Sequence, residues 1–441
     1  YGGLDFPSGF DISGLKPEEE EPEDGDSIES LWTYSPASHV ALSDDGQSIV
    51  AAIDDDVMFF SSESDIPIWS YSVEGSIRQV EISSDGKYIF VIGGNIRQIL
   101  YVFDSDMSTP LWTFSALKTI SDVAVSEDGS RIVIGSWDGK VYFFDKNSPT
   151  PLWIYDRSMD ENYREVHSVD ISDNGEYVVV GKFRKVILFE QNSNIPLWIY
   201  DTSNSPSQLF EQDSTFWSVE ISSDGQYITG GTNTTLFLFS KDSETYLYQE
   251  NELLGTYSFD NQGASNCLDF NCGFTSIIIS DDNKFITAGS MNEEVYLFDL
   301  NDLNLFWKFK TEGFVTSVSI SSDGRYVLAG TSEGEIYFFN SSNSNPIWKY
   351  DIGDPVTFWN YQYVDMSYDG SFIVTSSWLG IETLFTFDNS NYVDAYVSDS
   401  PSTSLDETEV SDSEVSFSLP ENSMLYGVVA FTVMSLIGAG L

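Results

Sequence analysis

The sequence predicts an all-β protein: an eight-bladed β-propeller of four-stranded blades, closed by an N-terminal strand. Three observations lead there. A Ser-x-Asp-Gly turn, or a close variant, recurs at Ser43, Ser83, Ser126, Ser172, Ser222, Ser280, Ser321 and Ser367, and only the sixth copy, Ser280-Asp281-Asp282-Asn283, ends without Gly. Each turn is preceded by alternating apolar residues, as in Val80-Glu81-Ile82, and followed by further apolar runs such as Tyr177-Val178-Val179-Val180-Gly181 and Val141-Tyr142-Phe143-Phe144-Asp145. That is the periodicity of strands. A fourth, shorter run places Trp behind an apolar residue, at Trp69, Trp112, Trp153, Trp198, Trp307 and Trp348. Four strands per unit and eight units of about 45 residues make a propeller; solenoid repeats are usually shorter and need caps at both ends.

The elements follow in order along the chain. It opens on Tyr1 without a basic-then-apolar leader, as a chain relieved of its signal peptide or a fragment would. Residues 1–30 contain the run Glu18-Glu19-Glu20-Glu21-Pro22-Glu23-Asp24, which repels itself and cannot bury a core, so they read as an acidic disordered tether. Leu31-Trp32-Thr33-Tyr34 is an orphan outer strand, and the last unit, ending near Phe387-Asp388, lacks one. Pairing the two closes the ring over residues 31–388 and removes two open sheet edges. Residues 389–424 are rich in Ser, Asp and Glu and read as a linker. Residues 425–441, LYGVVAFTVMSLIGAGL, carry no charge. As a helix they would reach about 25 Å, short by a turn of a bilayer core, so the expectation is a transmembrane anchor whose last residues lie beyond Leu441.

Charge narrows the function. Seventy acidic residues against 19 Lys and Arg give a net charge of −51, while 41% hydrophobic and 15% aromatic content demands a folded core. Such a field repels phosphate backbones, so nucleic acid is not expected as a partner. Two Cys and two His exclude a Cys/His zinc cluster and a Cys-rich redox protein. There is no Gly-x-Ser-x-Gly elbow, His-Glu-x-x-His helix or Walker loop. The Asp of each Ser-x-Asp-Gly copy is explained by turn chemistry without a metal.

Several of these segments resemble known propellers. Ile120–Gly129, Gly135-Ser136-Trp137-Asp138-Gly139 and Val141–Asp145 are similar to the three inner strands of WD-repeat blades, and the Pro-Leu-Trp outer strands resemble those of quinoprotein-like propellers. The resemblance spans about 360 residues and implies the fold; propellers host scaffolds, receptors and enzymes alike. Quinone-binding members use an adjacent cysteine pair, whereas Cys267 and Cys272 stand five apart, which counts against quinone dehydrogenase activity. These two Cys lie in the longest insertion, Asp242 to Phe274, where outside a cell a disulfide would restrain the loop.

Aligning the eight units separates positions that serve the fold from positions free to vary. Five residues before each Ser, the column contains Arg78, His167, Trp217 and Gln362, the candidates for a ligand-binding ring at the upper mouth of the central channel. His39 also precedes an inner strand. Two residues before each Ser, the column reads Ala41, Glu81, Ala124, Asp170, Glu220, Ile278, Ser319 and Asp365. Carboxylates near the axis repel one another unless cations or water screen them. A channel Ca2+ held by Glu81, Asp170, Glu220 and Asp365 is one reading, and a water-filled channel without cofactor is the other.

The expected function is a non-catalytic, membrane-anchored propeller displayed at the cell surface, outside the cytoplasm, where salt screens its charge, and binding protein or a surface polymer. Two alternatives are a cofactor-dependent oxidoreductase or hydrolase with its site at the channel mouth, and an envelope assembly factor that binds partner peptides.

Overall fold

The structure is a computed structural model and describes residues 28–397, apart from 96, 157–164, 203–214, 234, 243–252, 259–272, 302, 353–360 and 379–382. Among the described residues, the strands form eight four-stranded antiparallel sheets. These are the blades, numbered here by their inner strands: His39–Leu42, Ile77–Ile82, Ile120–Val125, Val166–Ile171, Ser218–Ile221, Phe274–Ile279, Val315–Ile320 and Tyr361–Met366. The outer strand of blade 8 is Trp32–Tyr34, which pairs with Leu384–Asp388 in the register Trp32↔Thr386, Thr33↔Phe385, Tyr34↔Leu384.

The recurring turn has a local cause. In blade 2 the Ser83 hydroxyl donates to Asp85 Oδ1 at 2.6 Å and accepts from Tyr88 N at 2.9 Å, while Lys87 N donates to the same carboxylate at 3.0 Å. Gly86 takes φ +69°, and Asn283 adopts φ +56° in the copy without Gly. The residues after each Ser also link blade to blade. Asp44 N donates to Ser84 O at 3.1 Å, Ser84 N to Glu127 O at 3.0 Å, Glu127 N to Asp173 O at 3.1 Å, and Tyr368 N to Asp44 O at 2.8 Å, joining blade 8 to blade 1.

The outer Trp residues form a second belt. Trp32, Trp69, Trp112, Trp153 and Trp307 each donate Nε1–H to a backbone carbonyl of the next blade at 2.6 to 2.8 Å. Each indole also packs on aromatic rings of the adjoining third strands, as Trp153 does between Phe143 at 5.0 Å and Phe189 at 5.5 Å. Blade spacing is tight enough that a Cβ on Gly289 would meet Val315 Cγ1 at 2.5 Å.

The fold continues past both expected boundaries. Residues Ser390–Val397, expected as linker, form a helix whose first N–H, on Ser390, is capped by Asp388 Oδ1 at 3.0 Å. Asn389 is fully buried and accepts from Trp348 Nε1 at 2.9 Å, and Tyr326 donates its hydroxyl to Val393 O at 3.0 Å. Ile28, expected in the tether, is buried in the same apolar cluster that Tyr392 and Val393 pack against. Two apolar residues are enough to seat such a short helix, and a composition rich in Ser and Asp hides them. No helix among the described residues is long and apolar enough to cross a membrane. The tether to residue 27, the linker from 398, the apolar segment 425–441, Cys267 and Cys272 lie outside the described residues.

Candidate functional site

Each inner strand is the free edge of its sheet, so its outward N–H groups face the axis and need acceptors other than a fifth strand. Side chains of the preceding blade supply some of them. Asp365 Oδ2 accepts from Leu42 N at 3.0 Å, Asp122 Oδ2 from Val169 N at 2.9 Å, and Asp170 Oδ2 from Ile221 N at 2.7 Å. Inside these strands lies a cavity of about 420 Å3, lined by blades 2 to 6 and including Gln79, Glu81, Asp122, Asp170 and Glu220.

The cavity thus gathers three of the four acids expected at the axis, and Asp365 faces it from blade 8. Their environment resists charge. Burial, only partly offset by the Gln79 amide and reinforced by Asp122, Asp365 and Asp170, pushes Glu81 up to about 8. Burial raises Asp365 to about 7 against two N–H donors, and Asp122 to about 6 against four hydrogen bonds. Asp170 and Glu220 titrate as a pair, both held up by burial. N–H donors partly offset the burial of Asp170, whereas the surrounding carboxylates add to that of Glu220.

Among the described residues, no three His, Cys, Asp or Glu side chains converge closely enough to hold one metal ion. Glu81, Asp170, Glu220 and Asp365 approach from four separate blades, and Asp170 and Asp365 turn their carboxylates onto a neighbouring backbone.

The mouth candidates divide. His167 and Trp217 come together, ring centroids 4.8 Å apart in an edge-on contact, and Trp217, 49% exposed, donates Nε1–H to Asn233 Oδ1 at 2.6 Å. Burial holds His167 below its ordinary value. Arg78 is exposed, and its charge adds to burial in lowering the enclosed His39 to about 4; His39 packs on Tyr363 at 5.0 Å. Gln362 is not at the mouth. It is fully buried, donating Nε2–H to Thr375 Oγ1 at 2.5 Å. The reason is a β-bulge. In blades 2, 3, 4, 6 and 7 the register slips around this column and re-aims the side chain, whereas blade 8 pairs without a slip and Gln362 follows the core-facing parity of Val364 and Met366.

Comparison with known proteins adds the family. A family model described as outer membrane protein assembly factor BamB matches residues 22–243, just over half of the chain. The chain belongs to this family. The BamB match covers blades 1 to 4 and most of blade 5, and a WD domain, G-beta repeat model matches residues 305–340, the outer strand of blade 6 and three strands of blade 7. Among curated proteins none matches the sequence. Sqt1 from Saccharomyces cerevisiae shares the fold at TM-score 0.64 and 12% identity, with 82% of this chain and 99% of that one covered. Sqt1 from Chaetomium thermophilum, solved bound to the N-terminus of the ribosomal protein L10, superposes at TM-score 0.65 and 13% identity, covering 82% and 100%.

Sequence reasoning missed Asp122 and the acids beside the turns. Asp122 stands four residues before its Ser, in a column otherwise held by groups such as Gln79, Ser168 and Tyr363. One residue after the Ser stand Asp44, Glu127, Asp173 and Asp281, and burial with these neighbours lifts Asp173 to about 6. The same alignment contains both columns; their signal lay in the parity of the inner strand and in the turn-to-turn bonds.

Proposed function

We propose that this BamB-family propeller is a non-catalytic protein-binding module, anchored through its C-terminal apolar segment and displayed outside the cytoplasm, with the loop face at the upper mouth as its partner surface. One observation carries the reading. At the end where outer strands cross to the next inner strand, Leu117, Trp137, Trp217 and Phe314 stand exposed on separate loops around the mouth. The turn end exposes Phe306, Tyr368 and aliphatic residues such as Ile66 and Ile195, but among the described residues the exposed indoles, Trp137 and Trp217, are both at the mouth, and exposed indoles mark a recognition surface. Ile28, Tyr392 and Val393 belong to one apolar cluster at the opposite, turn end. The family description names an assembly factor, and a propeller of this shape, Sqt1, has been solved with the N-terminus of another protein bound. Both support a partner peptide as the ligand. His167 and His39 make ring contacts with Trp217 and Tyr363, which favours a binding face over an oxidoreductase or hydrolase site.

The test is site-specific photo-crosslinking of the full chain in cells. A crosslinker at Trp217 or Trp137 should trap one discrete protein, and one at Lys87, on the turn face, should not. Equal trapping from both faces, or none from the loop face, would overturn the assignment. For the anchor, the full chain should fractionate with membranes and a chain ending after Val397 should be soluble; a full chain recovered without detergent would remove the anchor.

A further inference from the structure

The axial carboxyl groups are half-buried around one channel cavity and show an unusual imbalance. The cavity of about 420 Å3 is lined by inner strands of five blades and no Lys or Arg is among its lining residues. Facing Glu220 are Ser218 on its own strand, Asp170 and Ser168 of blade 4, Ser276 and Ile278 of blade 6, the turn acids Asp173 and Asp281, and Asp122 further round. Glu81 faces Gln79, Asp122 and Ala124, with Asp365 and Asp170 across the axis. Arg78, one residue before the cavity-lining Gln79, is exposed.

The acids differ in how they are held. Asp122, Asp170 and Asp365 each brace the inner strand of the next blade by accepting one of its backbone N–H groups. Glu81 accepts only from the Gln79 amide, at 3.0 Å, and Glu220 relies on none of these braces. Ionising all five at once would set like charges against each other across a closed ring, and the strain would fall on the braces between blades.

We propose that the channel is a pH-sensitive brace: Glu81 and Glu220 hold protons at neutral pH, and releasing them on alkalinisation loosens the inner ring of the propeller. A carboxyl that keeps its proton in the folded chain and not in the unfolded one stabilises the fold fully below the unfolded value and loses that contribution as pH rises through the folded value. Burial and the neighbouring carboxylates place that upper limit for Glu81 at about 8. His39, lowered to about 4 by burial and the Arg78 charge, is neutral across this window and does not mask it.

The experiment is thermal melting of the full chain between about pH 6 and about pH 9 at fixed ionic strength, with the variant Glu81→Gln/Glu220→Gln alongside. The unsubstituted chain should lose several degrees of Tm over this interval. The double variant, which fixes both positions neutral, should lose about half as much or less and melt higher than the unsubstituted chain at the alkaline end, a gain that structural damage does not produce. Infrared spectra of the unsubstituted chain should show a protonated-carboxyl band at neutral pH that fades on alkalinisation and is weaker in Glu81→Gln alone, so the proposal is testable even if the double variant does not fold. Parallel pH profiles in the two chains, or no such band at neutral pH, would overturn it.

Discussion

The outer and inner strands of this propeller obey different rules, and the contrast shows where the repeat serves the fold and where it is free. On the outer strands of five blades one residue does the same thing: an indole is packed on aromatic rings and its Nε1–H reaches a backbone carbonyl of the next blade, from Trp32 and Trp69 to Trp307. On the inner strands the corresponding column changes from Ala41 to Glu81, Asp170, Ile278 and Ser319 while the strand order of the blades repeats. Uniformity on the outside holds neighbouring blades at fixed spacing. Variation on the inside lets one architecture carry an acidic, partly neutralised channel and an aromatic mouth.

The largest expected effect comes from removing the outer strand that the chain borrows from its own beginning. Deleting residues 1–34 takes away the pairing of Trp32–Tyr34 with Leu384–Thr386 and the Trp32 bond to Ser62 O, so chemical denaturation should show a loss of at least about 3–5 kcal/mol. Deleting 1–27 stops short of the buried Ile28 and should leave stability nearly unchanged. If both truncations melt alike, the outer belt does not depend on this strand.

Next in size is a single outer indole. Trp153→Ala removes two aromatic packings and the bond to Gln191 O, a loss of about 3–5 kcal/mol. Blade spacing is probed by Gly289→Ala, whose added methyl meets Val315 Cγ1 at 2.5 Å and should cost about 1–3 kcal/mol. Smallest in stability is Trp217→Ala at the mouth, expected to change unfolding by under about 1 kcal/mol while reducing capture of the partner by a crosslinker at Trp137. A Trp217 variant as damaging as the Trp153 variant would erase the distinction between belt and mouth.

The blades were legible in the sequence because their causes are local. Ser83, Asp85 and Gly86 build their turn within six residues, and the Trp column repeats with the same period. The orphan Leu31–Tyr34 was legible through arithmetic: seven complete units and one lacking a strand. What stayed hidden was set by register and by contacts between distant residues. Gln362 shares its column with Arg78 and His167, whose blades carry a register slip that blade 8 lacks, so it turns inward, and no residue type announces a bulge. Asp122 is a brace because Val169 N lies opposite it in the next blade, a relation between positions 47 apart in sequence. The helix Ser390–Val397 was concealed by composition, since Tyr392 and Val393 gain meaning only from the seam that receives them.

The central claim, that the inner columns carry a property of their own while the outer belt carries the fold, is tested most directly by one comparison of melting temperatures. The full chain, Glu220→Gln and Trp153→Ala would each be melted at about pH 6 and about pH 8.5 at constant ionic strength. Trp153→Ala should lower Tm by the same amount at both, because nothing at the belt titrates there. Glu220→Gln should lie close to the unsubstituted chain at the lower pH and above it at the higher, since the substitution removes a charge that the channel otherwise has to accommodate. A Glu220→Gln chain that melts below the unsubstituted protein at both values, in parallel with Trp153→Ala, would contradict the account and make the inner acids ordinary parts of the scaffold.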